Sequence, residues 1–376
     1  MKILVLCYEY PPLGGGGGRV AAQVARELAG RGHDVTVQTS GLPHLPPHEK
    51  IDGVEIVRTA CLRQREDTCS VPEMAFYLVA SFFPAWRLAR KGKPDVIHAH
   101  FAVPTGALAF AVSRLTGIPY VLTAHLGDVP GGVPEQTAHL FRLVNPLARI
   151  LWTSAAAVTA VSSFVAGLAR AAYGIDPVII RNGVKPRLSA NASRTHSVPR
   201  ILLAGRLSVQ KNPLLALQAL ALLKDLDWSL DIIGEGPLGP ALRAEATKLN
   251  LENRVTFHGW LAGERVAAIM APSDILLMTS LHEGLPMVGV EALQHGLAVV
   301  GSAIGGLQDI VEEGKNGLLC ALNPEAFAGG LRRILSDPAL LSSLQQASRS
   351  LAPRFDLAES VDAYEKVLLD AAAKAA

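Results

Sequence analysis

An excess of charge of either sign is the first thing this chain lacks. Its 376 residues carry 35 Lys and Arg against 33 Asp and Glu, a formal net charge of +2, and charged residues make up 18%. So even a balance leaves no electrostatic footprint for nucleic acid, and no nucleic-acid partner is expected. Cysteine is scarce as well: Cys7, Cys61, Cys69 and Cys320 show no C-x-x-C or similar metal-type spacing. Cys7 and Cys320 lie in apolar strand-like runs and read as buried free thiols, which suits a reducing cytoplasm. The N-terminal MKILVLCYEYPP is broken by Glu9 and two prolines, so it reads as a first strand and not as a signal peptide. Ile150–Ala169 holds no charge over 20 residues, yet Thr153, Ser154, Thr159, Ser162 and Ser163 fall inside it. A buried strand joining two helices accounts for that stretch, and no membrane span is expected.

What is present points to an α/β protein. Apolar residues make up 49% of the chain, and its length favours two domains. Short apolar β-branched runs alternate with helical periodicity: KILVLC, DVTVQTS, GVEIVRTA, DVIHAH, YVLTAH and AVTAVS in the first half, then RILLAGRL, SLDIIGEG, RVTFHGW, DILLMTS and LAVVGS. Strands apolar on both faces, each followed by a helix, imply parallel sheets covered on both sides. The expected organisation is two doubly wound Rossmann-like domains facing a central cleft, at 1–184 and 200–355. A polar linker at 185–199 joins them, and a helix at 356–376 packs back on the first domain. Ligand sites belong at the carboxyl ends of the strands.

Candidate chemistry gathers at those ends. Thr279–Val311 reads TSLHEGLPMVGVEALQHGLAVVGSAIGGLQDIV, with Glu283 and Glu291 bracketing a helix start at Pro286 and a second helix start at Gly305–Gly306. The segment offers acceptors for sugar hydroxyls and backbone N–H groups for a phosphate, both of which a nucleotide-sugar needs. Glu291 also fits an ordinary helix-surface acid. Arg206 and Lys211, in GRLSVQKN, stand just past a strand where a diphosphate would need neutralising, or are solvated loop charges. Gly14–Gly18 precede a helix beginning near Arg19 and let backbone approach an anion closely, or form a plain turn. A dinucleotide fingerprint fits poorly and disfavours an NAD-dependent oxidoreductase, since Arg19 stands where its third glycine belongs and Thr39–Ser40 lack the ribose-binding acid. No cofactor is expected.

Gly234 and Glu235 form a strand-to-helix turn that lines a nucleotide pocket or is a plain loop, and Trp260 ends a strand whose backbone can bond a base, as any strand end can. His125 ends YVLTAH, whereas His98 and His100 alternate along a strand and read as structural. Asp225–Asp227 has the D-x-D spacing of metal-dependent sugar transferases but lies on the wrong side of the sheet, so it reads as a turn and no metal is expected. Pro72–Lys93 carries Phe76, Tyr77, Phe82, Phe83 and Trp86 ahead of Arg87, Arg90, Lys91 and Lys93. It reads either as a core-facing helix with a basic last turn or as a peripheral membrane contact.

In this order, YEYPPLGGGG, DVIHAH, TAHLGD, VTAVSSF, RNGV, AGRLSVQKN, IIGEGP, VTFHGW, HEGLPMVGVEAL and GSAIGGLQDIV resemble the retaining glycosyltransferases of family 4, of GT-B fold, over essentially the whole chain. The resemblance implies a nucleotide-sugar donor held by the second domain and a hydroxyl acceptor (a sugar, a lipid-linked or a small molecule) by the first. It makes Glu291 the ribose acceptor, Glu283 the partner of the donor sugar, and Arg206 and Lys211 the diphosphate cations. Gly305, Gly306 and Leu307 then supply backbone donors, Gly15 and Gly16 close over the phosphates, and His125 lies near the transferred sugar. Gln308 and Asp309 depart from the proline and glutamate of many members. A nucleotide-sugar epimerase and an inert nucleotide-sugar binding subunit are the rival readings.

Overall fold

A computed structural model describes residues 1–66, 68–135, 148–186 and 197–374. The chain divides into two compact units, Met1–Gly183 with Leu357–Ala376, and Val184–Asp356. Residues 187–196 of the predicted linker lie outside the described residues.

The first unit is built on an eight-stranded sheet. In chain order its strands are β1 (Lys2–Cys7), β2 (Asp34–Gly41), β3 (His48–Ile51), β4 (Val54–Ala60), β5 (Val96–His100), β6 (Tyr120–Ala124), β7 (Ala157–Ala160) and β8 (Val178–Ile179). Their spatial order is β3-β4-β2-β1-β5-β6-β7-β8. All pairings are parallel except β3 with β4, which is antiparallel. That hairpin adds a strand absent from the apolar runs read off the sequence. His48–Lys50 is largely exposed, so no apolar pattern marks it as a strand. The central strands are sealed on both faces: every residue of β5 and β6 is buried. The uncharged Ile150–Ala169 stretch is β7 between two helices.

The glycine run does not precede the first helix but opens it: the helix spans Gly16–Gly30. A Cβ on Gly18 would lie 2.4 Å from the carbonyl oxygen of Glu9, so the helix docks on backbone where only glycine fits. The chain returns to this unit at a C-terminal helix, Leu357–Ala373, whose Leu357, Val361, Tyr364 and Leu368 are buried. The Tyr364 ring lies 5.4 Å from that of His98, and Glu365 pairs with Arg31 and His33 at 2.6 Å each.

The second unit has six parallel strands, β9 (Arg200–Ala204), β10 (Ser229–Ile233), β11 (Val255–Gly259), β12 (Ile275–Met278), β13 (Ala298–Ser302) and β14 (Gly317–Cys320). Their order is β11-β10-β9-β12-β13-β14, the doubly wound pattern. Leu215, Leu220, Trp228, Phe327 and Leu331 fill the core over one face, and the Trp228 indole N–H is satisfied by the Leu223 carbonyl at 2.9 Å. Strand order reverses between β9 and β12. Their loops therefore leave in opposite directions and open a crevice at their carboxyl ends, where open α/β sheets bind ligands. In the first unit the same reversal falls between β1 and β5.

Candidate active site

The crevice of the second unit is closed by a short polar zipper. After β9 the chain turns through a 3-10 segment, Val209–Lys211, and after β12 it runs through Thr279–Leu285. Leu281 N–H donates to the Gln210 carbonyl at 2.8 Å, and the Gln210 side-chain amide donates to the His282 carbonyl at 3.0 Å. The Thr279 hydroxyl reaches the carbonyls of Lys211 and Asn212 at 3.2 and 2.9 Å. These bonds hold the Lys211 ammonium 2.5 Å from Oε1 of Glu283, and the Ser280 hydroxyl donates to the same oxygen at 2.6 Å. Glu283 is buried, so its charge needs both partners.

Gly306 brings the next element against this carboxylate loop. The helix Gly305–Gln308 begins where a Cβ on Gly306 would lie 2.1 Å from the Glu283 carbonyl oxygen. Within its first turn the Leu307 N–H is used on the Ile304 carbonyl at 3.1 Å. That leaves the leading N–H groups of the turn as the ones free of helical acceptors by geometry. Glu291 is half-buried on the neighbouring helix Met287–Gln294. That helix sits close: a Cβ on Gly289 would meet Ile310 Cδ1 at 2.3 Å. Pro286 is the N-cap of this helix.

Arg206 joins the same end of the sheet from β9, half-buried. Its neighbours are fixed by two glycines: a Cβ on Gly234 would lie 1.9 Å from the Gly205 carbonyl oxygen, and one on Gly236 would lie 2.5 Å from that of Leu207. Leu207 N–H donates to the Glu235 carbonyl at 2.9 Å. The Glu235 carboxylate in turn accepts from Trp260 N–H at 3.3 Å. Thus Gly234, Glu235 and Trp260 line up beside Arg206, while the Trp260 side chain is 71% exposed. Asp225 of the D-x-D lies in an exposed turn and pairs with Arg332 at 2.5 Å. Among the described residues no group of three or more His, Cys, Asp or Glu could hold a metal ion.

The first unit carries its own constellation at the carboxyl ends of β1, β5 and β6. Gly15 N–H donates to the Glu9 carboxylate at 3.2 Å, and Gly14 N–H to the Glu66 carbonyl at 2.7 Å. Gly16 is exposed. It is Gly17 that touches the histidine: a Cβ there would lie 2.5 Å from the Phe101 ring and 3.1 Å from His125 Nδ1. The His125 ring lies against Phe101 at a tilt of 32°, centroids 4.4 Å apart, and its Nε2 is 3.2 Å from His100 Nδ1. Asp128 stitches these loops together, accepting from the N–H groups of His125, Leu126 and Ala102 at 3.0, 2.9 and 2.8 Å. Burial lowers the His125 pKa to about 4, with Asp128 acting in the opposite direction. The ring is therefore neutral near pH 7, a hydrogen-bonding group and not a cation. Glu9, Arg63, Phe101, Asp128 and Ser280 were not among the sequence candidates. The buried Arg63 guanidinium donates to the carbonyls of Arg65, Tyr8 and Glu66 and so ties down the loop that holds Gly14.

A doubly wound sheet binds ligands at its switch point, and the Lys211–Glu283 pair stands at that of the second unit. Residues 14–188 match the family "Glycosyltransferase Family 4" and residues 185–351 match "Glycosyl transferases group 1". The chain is 30% identical to glycogen synthase of Mycobacterium tuberculosis over 402 aligned positions, covering 99% of this chain and 95% of that one. It is 28% identical to 2-deoxystreptamine glucosyltransferase of Streptomyces kanamyceticus, covering 91% and 96%. Its fold superposes on sucrose-phosphate synthase from Thermosynechococcus elongatus with TM-score 0.83 at 22% identity, covering 97% and 98% of the two chains. The TM-score is 0.77 against Anabaena HepE in complex with UDP and glucose, also at 22% identity, covering 98% and 99%. The chain belongs to the group 1, family 4 glycosyltransferases of GT-B fold, and its reaction is glycosyl transfer from a nucleotide-sugar.

Proposed function

We propose that the enzyme is a retaining, metal-independent hexosyltransferase whose second unit holds the donor and whose first unit receives a hydroxyl acceptor. The observation that carries this is the Lys211–Glu283 pair at the β9/β12 crevice. It sets a cation for the diphosphate beside a carboxylate for sugar hydroxyls. Arg206 adds a second cation, Gly305 and Gly306 offer N–H groups, and Glu291 takes the ribose. The neighbour solved with UDP and glucose and the relative named as a glucosyltransferase favour a UDP- or GDP-hexose.

In the proposed reaction the bond between the anomeric carbon and the leaving phosphate oxygen breaks while charge builds on the diphosphate. Lys211, Arg206 and the backbone donors stabilise that charge without reorganising. The acceptor oxygen bonds to the anomeric carbon on the face the phosphate leaves, and its proton passes to the leaving diphosphate. Neutral His125 positions hydroxyls and carries no charge. The four free cysteines support a cytoplasmic setting. The test is turnover at saturating donor with the product anomer read by NMR. Lys211→Ala and Arg206→Ala should each lower kcat at least ~100-fold, and activity should survive EDTA. Unchanged turnover, an inverted anomer or loss in EDTA would sink the respective part.

A further inference from the structure

The helix Val71–Gly92 of the first unit has an outer face that nothing in the transferase reading uses. Its inner face is Tyr77, Ser81, Ala85 and Ala89, all buried at the four-residue spacing of one side of a helix. At about 100° per residue, Phe76, Val79, Phe83, Arg87 and Arg90 fall within one arc of about 80° on the opposite side. A surface helix ordinarily turns charge outward there. Here Phe76 is 41%, Val79 77%, Phe82 37% and Phe83 59% exposed.

Charge on this helix is all of one sign at one end. The single acid, Glu73, is spent in the capping box with Ser70 and on the Gln64 N–H at 2.9 Å. Arg87, Arg90 and Lys91 crowd the last two turns and Lys93 follows, with the Arg90 guanidinium 5.2 Å over the Trp86 ring and Trp86 5.6 Å from Phe83. Lys2 adds a further cation, its ammonium 3.3 Å from the Gly92 carbonyl. Beside this basic end lies a cavity of about 770 Å³ lined by Lys2, Arg87, Lys91 and Phe83, with Asp34 and Glu55 on the sheet side.

We infer that this face docks the first unit on an anionic phospholipid bilayer, the aromatic side chains entering the interface and the basic turn meeting the headgroups. No helix among the described residues is long and apolar enough to cross a membrane, so the helix lies flat. Charge complementarity selects the partner. A negatively charged surface satisfies the whole basic end, whereas a second copy of the chain would bring cations of the same sign.

Sedimentation with vesicles of phosphatidylcholine, with and without phosphatidylglycerol, tests this. The full chain should partition onto the anionic vesicles only, less so as salt rises. Arg90→Gln with Lys91→Gln should weaken partitioning ~30-fold, at ~1 kcal/mol per basic residue, and Val79→Ser with Phe83→Ser should abolish it. Both variants should melt as the parent does and bind nucleotide-sugar unchanged, because every altered side chain is on the solvent side of the first unit. No binding to anionic vesicles, equal binding to neutral ones, or a dimer in light scattering that the Val79/Phe83 variant dissolves would each overturn the inference. Vesicle binding and nucleotide-sugar binding are read separately, so failure of either leaves the other reading standing.

Discussion

Gly306→Ala is the sharpest probe of how the donor crevice is assembled. The added methyl would lie 2.1 Å from the Glu283 carbonyl oxygen, 2.5 Å from its carbonyl carbon and 2.6 Å from the Gly284 oxygen. All three are backbone atoms, so no rotamer change relieves the contact. Restoring a van der Waals gap of about 3.5 Å between carbon and oxygen requires the Gly305–Gln308 turn or the Glu283 loop to retreat by about 1.4 Å from the 2.1 Å contact. Overpacking of this kind costs ~1–3 kcal/mol. For a unit of this size that is a fall in Tm of roughly 2–12 °C. A retreat of the N–H groups also costs a charge-assisted bond to the diphosphate, ~1.5–3 kcal/mol, hence about 10- to 150-fold in donor affinity. Gly329→Ala is the matched control: it lies in the helix Pro324–Leu335 of the same unit with nothing within 4 Å of its Cβ. It should raise stability by ~0.5–1 kcal/mol and leave donor binding alone. Scanning calorimetry and nucleotide-sugar titration of the two variants give both readouts. A Gly306→Ala chain that melts and binds like the parent refutes the claim that this turn is wedged against the Glu283 loop.

Further expectations follow from the same contacts. Lys211→Met leaves buried Glu283 with Ser280 alone and should destabilise the second unit by about 2 kcal/mol, below the ~3–5 kcal/mol of a fully buried pair because Lys211 is 26% exposed. Adding Glu283→Gln should recover part of the loss in a double-mutant cycle, and strict additivity would contradict the pairing. Burial lowers His125 to about 4, His98 to about 3 and His100 well below its ordinary value. Unfolded histidine titrates near ~6.5, so the unfolded chain takes up protons first as pH falls from there. Stability is full above that pH and declines below it, by up to ~1.4 kcal/mol per pH unit for each histidine. In urea unfolding between pH 7 and 4.5, His98→Gln should flatten that slope by about one proton, and an unchanged slope would refute the assignment. A chain ending at Asp356 loses the large buried side chains Leu357, Val361, Tyr364 and Leu368 of the C-terminal helix, ~1.5–3 kcal/mol each, against a typical domain stability of ~5–15 kcal/mol. Calorimetry of that chain should show the second unit's transition with the first unit's lost. Retention of both would contradict the packing of Tyr364 on the His98 strand.

The two sheets were legible because their strands are buried on both faces: runs such as β12, ILLM, and β13, AVVGS, have no polar side to confuse the period. β3 was not, since His48–Ile51 is short and mostly exposed and pairs through backbone bonds that leave no mark on composition. Local signals located the loops at the strand ends, with glycine where backbone approaches backbone. The partnerships within those loops were not visible. Lys211 and Glu283 stand 72 residues apart, and no spacing rule joins them until strand order places β9 beside β12. Arg63 sits in a polar stretch that reads as surface, yet its guanidinium is buried among carbonyls. The first helix begins inside the glycine run because docking on Glu9 demands glycine, against the low helix propensity that argued for a later start.

The central claim is that Lys211 and Arg206 hold the diphosphate of a nucleotide-sugar at the β9/β12 crevice. Calorimetric titration of UDP- and GDP-hexoses into the parent, Lys211→Met and Arg206→Gln chains tests it directly. The account predicts that the parent binds at least one of these donors and that each variant binds it about 10- to 150-fold more weakly, at ~1.5–3 kcal/mol per charged hydrogen bond. A donor bound equally well by all three chains would contradict it.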